Sequence, residues 1–363
     1  MKRWVLGILM AGLLAVAAPP TFAGTVTSTG SGNWSNASVW DASRVPVEGD
    51  DVVIAGGTVV NYDMYNPTVN CDSVTINASA TLNVSSYLTG SDVLLTLSGD
   101  IKVLGGLYLE GTANVSIYSN SSVTWGDPEF KVLNVGESGR LTVSGNFKES
   151  EVSLDASTFA ATGDSSLLID RNPIGWATGD VLYIVDFSVS DNQEYVTINS
   201  YESTAVLLTG TLTYSYRPDS TKIFNLSRSA YLGAALRTEE ANIRLVFDPA
   251  ATIDIQYGEF GYFGESGASG FDTNEAEIVN IRGNVFHHAT YSLTIQNLLA
   301  DSVIEDNIAY QEHSTAFWVY ANHQPLTLSH NIVLDSGDSS MVAAIFLAGS
   351  YPTTLNQCRV IDY

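Results

Sequence analysis

Ile281-Arg282-Gly283-Asn284-Val285-Phe286 returns three times in altered form: Ile304-Glu305-Asp306-Asn307-Ile308-Ala309, Leu328-Ser329-His330-Asn331-Ile332-Val333 and Leu355-Asn356-Gln357-Cys358-Arg359-Val360. The asparagines stand 23 and then 24 residues apart, and Cys358 takes the same place 27 later. A second apolar run, Ser292–Ile295, Ala316–Val319 and Ala343–Phe346, keeps nearly the same beat. A fixed period in this range marks a solenoid. The runs are four to six residues long, lack helical periodicity and are separated by turn residues, so they read as strands. The expected fold is all-β: a single-stranded parallel β-helix, one coil per copy. Strands of successive coils would then pair ~4.8 Å apart. Asn284, Asn307 and Asn331 fall in one column. They read as an internal ladder at a corner, where an asparagine tolerates left-handed backbone and its amide can bond the asparagine of the next coil.

Working back from that ladder, Ile253-Asp254-Ile255-Gln256-Tyr257-Gly258-Glu259-Phe260 reads as one more coil, so 243–363 is a C-terminal run of coils. It stops inside the fourth copy with no polar cap. An open end of this kind exposes strand edges, so a further stretch of chain or a partner is expected there. Residues 163–242 differ in texture. Trp176-Ala177-Thr178-Gly179-Asp180 leads into Val181–Ile184, followed by Glu194–Ile198 and Val206–Leu208, which reads as an antiparallel elaboration between two solenoid halves. Residues 24–162 are short strands with polar turns, opened by Trp34, Trp40 and the turn Pro46-Val47-Glu48-Gly49-Asp50-Asp51. The tryptophans are expected to cover the first coil. Residues 1–23 read as a secretory signal peptide: basic Lys2-Arg3, an apolar core from Trp4 to Ala18 and a Thr21-Phe22-Ala23 cleavage site. The competing reading, an uncleaved anchor, needs a longer apolar run. No later segment is apolar enough to span a membrane as a helix.

Composition narrows the partners. The 363 residues carry 39 acidic and 15 basic side chains, a formal charge of −24 that becomes −26 if Lys2 and Arg3 leave with the signal peptide. Such a surface repels nucleic acid and anionic membranes. Between Leu245 and Tyr363 only Arg282 and Arg359 are basic. The two cysteines, Cys71 and Cys358, are far apart along a solenoid and are expected to be free, buried thiols.

The Trp34, Trp40, Pro46 and Gly49-Asp50-Asp51-Val52-Val53-Ile54 pattern resembles the eight-glycine domain that opens fibrocystin-like proteins and the cell-surface hyaluronidases of the migration-inducing type. Trp176-Ala177-Thr178-Gly179-Asp180, Leu226-Ser227-Arg228 and Tyr257-Gly258-Glu259-Phe260 with Gly261 and Gly264 are similar to the same proteins, in the same order. The resemblance implies a right-handed parallel β-helix outside the cell, and in some relatives hyaluronan breakdown. Those relatives carry an Arg-Tyr-Pro-Ile-His-Phe-His-like stretch after the Glu-Phe coil. Here the chain reads Gly264-Glu265-Ser266-Gly267-Ala268-Ser269-Gly270-Phe271-Asp272-Thr273-Asn274, and no catalytic residue carries over.

Candidate chemistry clusters late in the chain. Asp306 and His330 share a register one coil apart, as an acid–base pair would, although a plain cross-strand pair has the same spacing. Arg282 and Glu305 stack in the neighbouring register as an ion pair. Glu259 and His288 complete the weak catalytic candidates, while strict alternation would send His287 and His288 to opposite faces. Trp318 and Tyr320 share a strand face, inward or outward, and with Tyr310 and His313 are the glycan-binding candidates, because an aromatic ring can stack on the apolar face of a sugar. No cofactor motif is present. Acidic turns, Asp335 and Asp338 foremost, are the calcium candidates. A polyanion such as hyaluronan calls for arginine or lysine, which this half lacks. The sequence therefore points to a secreted or cell-surface β-helix that binds or displays toward extracellular polysaccharide, with a polysaccharide-degrading hydrolase or lyase as the alternative.

Overall fold

The computed structural model describes residues 24–361 apart from 65–70, 85–87, 92–93, 98–99, 104–106, 111–113, 119–120, 126–130, 136–138, 190–191, 235–242, 248, 263–269, 274, 290, 312–314, 321, 335–342 and 349–351. Residues 1–23, read from the sequence as a signal peptide, and His313, Asp335 and Asp338 lie outside the described residues.

The chain is a parallel β-solenoid whose coils run through three sheets in turn. Among the described residues the first sheet has eleven strands, from Thr25–Thr27 to Thr353–Asn356, and the second has eleven, from Gly32–Asn33 to Arg359–Ile361. The third has eight, from Leu88–Ser91 to Ala343–Ala348. Neighbouring coils pair parallel and in register: Ile281 opposite Ile304, Val285 opposite Ile308, Leu293 opposite Phe317. A two-residue side-chain period then sends Ile281, Ile304 and Leu328 inward from the first sheet, Phe260, Phe286, Ala309 and Val333 from the second, and Leu293 and Phe317 from the third. One continuous core results. Phe260 stacks on Phe286 with ring centroids 5.1 Å apart, so even the aromatic residues repeat down the axis.

The column of asparagines forms as expected, fully buried. Asn284 donates its backbone N–H and its Nδ2 to Asn307 Oδ1 (2.9 and 3.0 Å), and Asn307 does the same to Asn331 (3.1 and 2.9 Å). Each Nδ2 also reaches a carbonyl of the preceding coil, Ile255, Ile281 or Ile304. Cys358 fills the fourth place, with Sγ 3.3 Å from the Leu328 carbonyl. One detail differs from expectation. The left-handed residue is the one before each ladder position, whether that is an asparagine, Gly258 or Cys358: Tyr257, Gly283, Asp306, His330 and Gln357 have φ between +52° and +64°. That leaves the asparagine free to aim its amide along the axis. Removing one such amide would strip buried backbone groups of a partner, at about 1–3 kcal/mol. Both cysteines are free, but only Cys71 is buried; Cys358 is half-buried, because its coil has no neighbour on the far side among the described residues. Burial, reinforced by Asp50, Asp72 and Asp51, pushes the Cys71 thiol up to about 12.

Trp34 and Trp40 cover the first coils as expected. They meet edge to face at 4.9 Å, and Trp40 donates Nε1 to the Trp34 carbonyl at 2.9 Å. Asp50 has no exposed surface. Its carboxylate accepts from Arg44 (2.5 and 2.7 Å) and from the backbone of Val47 and Gly24, so it is a structural latch with its lone pairs taken.

Between the first-sheet strand Arg140–Ser144 and the second-sheet strand Ala230–Ala234 the chain leaves the solenoid. It builds a six-stranded sheet in the order Glu151–Ser153, Thr221–Asn225, Val181–Asp186, Gln193–Glu202, Ala205–Leu208 and Ser166–Leu168, antiparallel where it pairs. The excursion starts before residue 163 and is over before 242, because the strand of Glu151–Ser153 has the texture of a coil strand while pairing outside the solenoid. The elaboration packs on the outer face of the second sheet. Tyr183, Val185, Phe224 and Leu226 cover Val285, Ile308, Ile332 and Leu334.

Two motifs that carried the family resemblance form the joint. Asp180 holds the Lys148 ammonium, the Asn225 Nδ2 (2.8 Å) and the Ala177 N–H (2.9 Å). Arg228 is buried. It donates to the carbonyls of Gly283 (2.7 Å), Asn225 (3.1 Å) and Ser227 (2.8 Å) and to Ser150 Oγ (3.0 Å). Burial pushes Arg228 down to about 10, opposed by Glu259 and Asp180, so it stays charged at neutral pH.

Candidate functional site

The elaboration divides the sequence-predicted residues among three places. The first is the covered flank. Glu259, on Gly258–Gly261, and His287, on Val285–His287, point outward from the second sheet and are buried under the elaboration. Glu259 accepts the Arg228 backbone N–H at 3.1 Å and lies 3.3 Å from His287 Nε2. His287 and His288 do not diverge: their Nδ1 atoms are 2.9 Å apart. The strand ends at His287, and His288 takes φ +52°, which swings its ring back beside its neighbour and cancels the alternation. His288 stacks on Tyr262 (4.5 Å) and His287 on Tyr310 (4.9 Å). Tyr310 is thus a covered residue on this flank, only 8% exposed, and away from Trp318.

The second place is the corner where the first sheet turns into the second. Asp306 and His330 occupy successive steps of it, as their register implies, but each has another partner. Asp306 faces Arg282 at 3.3 Å, and His330 Nδ1 lies 2.9 Å from Ser329 Oγ. Arg282 also pairs with Glu305 at 3.4 Å. The left-handed backbone turns the side chains of this column out to solvent.

The third place is the outer face of the third sheet. On Thr315–Tyr320, Ala316, Phe317 and Val319 belong to the buried core, and Trp318 and Tyr320 face outward. The choice the sequence left open is settled: Trp318 and Tyr320 are half-buried surface residues. Tyr291 meets the Trp318 ring edge-on at 4.5 Å, Phe346 at 5.4 Å and Tyr320 at 6.0 Å. Coil register puts Thr294, Trp318 and Phe346 in one column. A polar margin runs beside it, where Gln296 donates to Asp272 at 2.7 Å and hydrogen-bonds Tyr320. Burial and the nearby Asp272 push the Tyr320 phenol up, against the Gln296 bond. Trp318 Nε1 and Ser292 Oγ, both on this face, are buried and have no hydrogen-bond partner among the described residues. A native protein rarely leaves such atoms unmatched, at about 1–3 kcal/mol each.

Sequence reasoning found Trp318 and Tyr320, with Tyr291 near them in sequence, but not Phe346's part in the same strip, although the second apolar beat ends on it. It did not find Phe147, Glu149 or Glu151 beside Asp306 and His330, since their nearness comes only from the folding back of the elaboration. Among the described residues no group of three or more His, Cys, Asp or Glu side chains is arranged to hold a metal, and no helix is long and apolar enough to cross a membrane.

No protein-family model matches the chain, and no curated protein does. Three solved structures similar to it are phage tailspikes. The gp61 tailspike of Pseudomonas phage phi297 is 10% identical, covering 73% of this chain and 55% of that one at a TM-score of 0.26. The gp49 tailspike of Pseudomonas phage LKA1 is 11% identical, over 79% and 54%, at 0.26. The Gp54 tailspike of Acinetobacter baumannii bacteriophage AP22, solved with A. baumannii capsular saccharide, is 12% identical, over 80% and 53%, at 0.22. The chain spans about half the length of these tailspikes.

Proposed function

We propose that this is an extracellular β-helix protein, related to the eight-glycine proteins its opening motif resembles, that binds uncharged polysaccharide on the outer face of its third sheet. The observation that carries this reading is the outward strip of Trp318, Tyr320 and Phe346, with the Tyr291 ring edge-on against Trp318 and the orphaned Trp318 Nε1 and Ser292 Oγ set into it. Aromatic rings offer an apolar face to sugar C–H groups, and Gln296 and Asp272 at the margin suit hydroxyls. Formal charge of −24 and a strip with no basic residue disfavour a polyanion.

Binding without cleavage is the favoured mode. Glycoside cleavage needs one carboxyl kept protonated beside another kept ionised. The carboxylates at the corner are engaged by arginine instead. Burial would raise Glu151, yet Arg359 and Lys222 outweigh it and hold that carboxyl below the usual range.

The test is titration of the secreted form, lacking residues 1–23, with cellohexaose, chitohexaose and hyaluronan oligosaccharides, followed by tryptophan fluorescence. A neutral oligosaccharide is expected to shift the emission, and Trp318→Ala to weaken binding about tenfold or more. Binding that survives Trp318→Ala unchanged would overturn the assignment. New reducing ends or unsaturated uronates appearing during incubation would overturn binding without turnover.

A further inference from the structure

The elaboration does more than cover a flank. Its first residues run back along the corner between the first and second sheets and close a groove of about 370 Å³ against it. Phe147, Glu149 and Glu151 form one wall; Tyr257, Asp306 and His330 form the other. A second hollow of about 340 Å³ continues through Glu151, His330 and Arg359 to Gln357. Both volumes fall at the small end of the ~300–1,000 Å³ typical of ligand sites. The corner column from Tyr257 to Gln357 extends roughly 19 Å at ~4.8 Å per coil.

Three features mark this as a built site. Its upper end is aromatic: Phe147 is half exposed and meets Tyr257 edge to face at 5.3 Å. The Tyr257 ring lies over Gly283, where a Cβ would come within 2.5 Å of it, so the glycine at φ +64° makes room for that ring. The column keeps Tyr, Asp, His and Gln at positive φ, where each costs roughly 1–2 kcal/mol against glycine. Finally, Arg282 and Arg359, the only two basic residues between Leu245 and Tyr363, both line it.

The pairing of these charges selects the ligand. Arg359 is bound to Glu151, Arg282 to Asp306 and Glu305, and Arg171 beside them to Glu149 (2.6 Å). A charged ligand would have to break one of these pairs. A hydroxyl need not: it can accept from a second N–H of a guanidinium, which has five, and donate to a spare carboxylate lone pair. We propose that this groove is a second saccharide site, taking a short, uncharged, hydroxyl-rich segment. The third sheet is the side of the solenoid turned away from this corner, so the groove and the aromatic strip would hold two different chains and bridge them. The bridging rests on the strip reading; the groove site does not.

The experiment follows the His330 ring protons by NMR in the protein lacking residues 1–23, assigned by the signal that disappears in His330→Gln. Cellohexaose, chitohexaose and tetragalacturonate are added in turn to wild type and to Trp318→Ala. A shift of the His330 signal with a neutral oligosaccharide, kept in Trp318→Ala and reduced about tenfold in affinity in Phe147→Ala, is the expected result. A His330 signal unmoved by all three, or moved by tetragalacturonate alone, overturns the groove proposal. Loss of the His330 response in Trp318→Ala would show a single shared site and overturn independence. Failure of the strip reading is seen separately, in the tryptophan emission.

Discussion

The second and third sheets are built from one repeating pattern and end up with opposite surfaces. On both, alternate residues enter the common core. On the second sheet the outward residues include Val285, Ile308 and Ile332, buried together with Glu259, His287 and Tyr310 because the elaboration lies across them. On the third they are Trp318, Tyr320 and Phe346, and among the described residues nothing lies across them. Residue type alone does not separate the flanks, since the covered one also holds His287 and Tyr310; what separates them is that the aromatic column of the third sheet is left open. The single feature that separates the two flanks is the excursion between residues 144 and 230.

Releasing that excursion should produce the largest effect. Arg228 ties it to the solenoid through carbonyls on both sides, and Arg228→Ala leaves those carbonyls unpaired in a buried place. We expect a loss of about 3–5 kcal/mol, the usual consequence of truncating a buried, hydrogen-bonded charge. Urea unfolding should shift accordingly. A dye that reports exposed apolar surface should bind the variant at urea concentrations where the wild type stays dark, as Val285, Ile308 and Ile332 become exposed. An unchanged midpoint would show that the two bodies hold together by apolar packing alone.

Matched truncations on the two flanks sharpen the contrast. Ile308 has no exposed surface, and Ile308→Ala should cost about 2–4 kcal/mol. Trp318→Ala removes a larger side chain, but one already half exposed whose Nε1 is unmatched, so relief of that orphan offsets part of the lost packing. We expect a loss of about 1 kcal/mol, together with the larger loss of glycan binding. Equal destabilisation at both positions would mean that the strip is structural after all.

What could be read beforehand follows from the range of the contacts. Neighbours in the solenoid lie about two dozen residues apart, so Asn284 and Asn307, or Phe317 and Ile345, announce each other by repetition. The alternation that places Trp318 can also be read, but not which parity faces the core, since Ala316 and Trp318 fit either side. Contacts made by the elaboration repeat nowhere: Glu151 and Arg359 are 208 residues apart. Asp306 and His330 were legible as neighbours for the same reason that their partners were not. Register fixes position along the axis, while the reach of Arg282 and the hydroxyl of Ser329 decide what each side chain bonds. His287 and His288 misled because strand alternation fails where a residue turns left-handed, and nothing local marks His288 as that residue.

The smallest expected effect concerns acid and again touches only the covered flank. Glu151 pairs with Arg359 of the last described second-sheet strand and with Lys222 at 3.2 Å, pinning the edge of the elaboration to the far end of the solenoid. Burial raises this carboxyl, but the two cations win and leave it lowered. A group whose folded pKa lies below its unfolded value of ~4.3 stabilises the fold above that value and stops doing so as pH falls through the folded pKa. The pair is partly exposed, so its share is about 1 kcal/mol or less, and salt reduces it. Hydrogen exchange at pH 6 and pH 3 should therefore show the strands Glu151–Ser153 and Arg359–Ile361 loosening in acid more than Thr315–Tyr320 does. In Glu151→Gln the looser state should already be present at pH 6, with little further change on acidification. Were acid to loosen Thr315–Tyr320 as much as the covered strands, in wild type and variant alike, the whole solenoid would be titrating as one body and the elaboration would have no latch of its own.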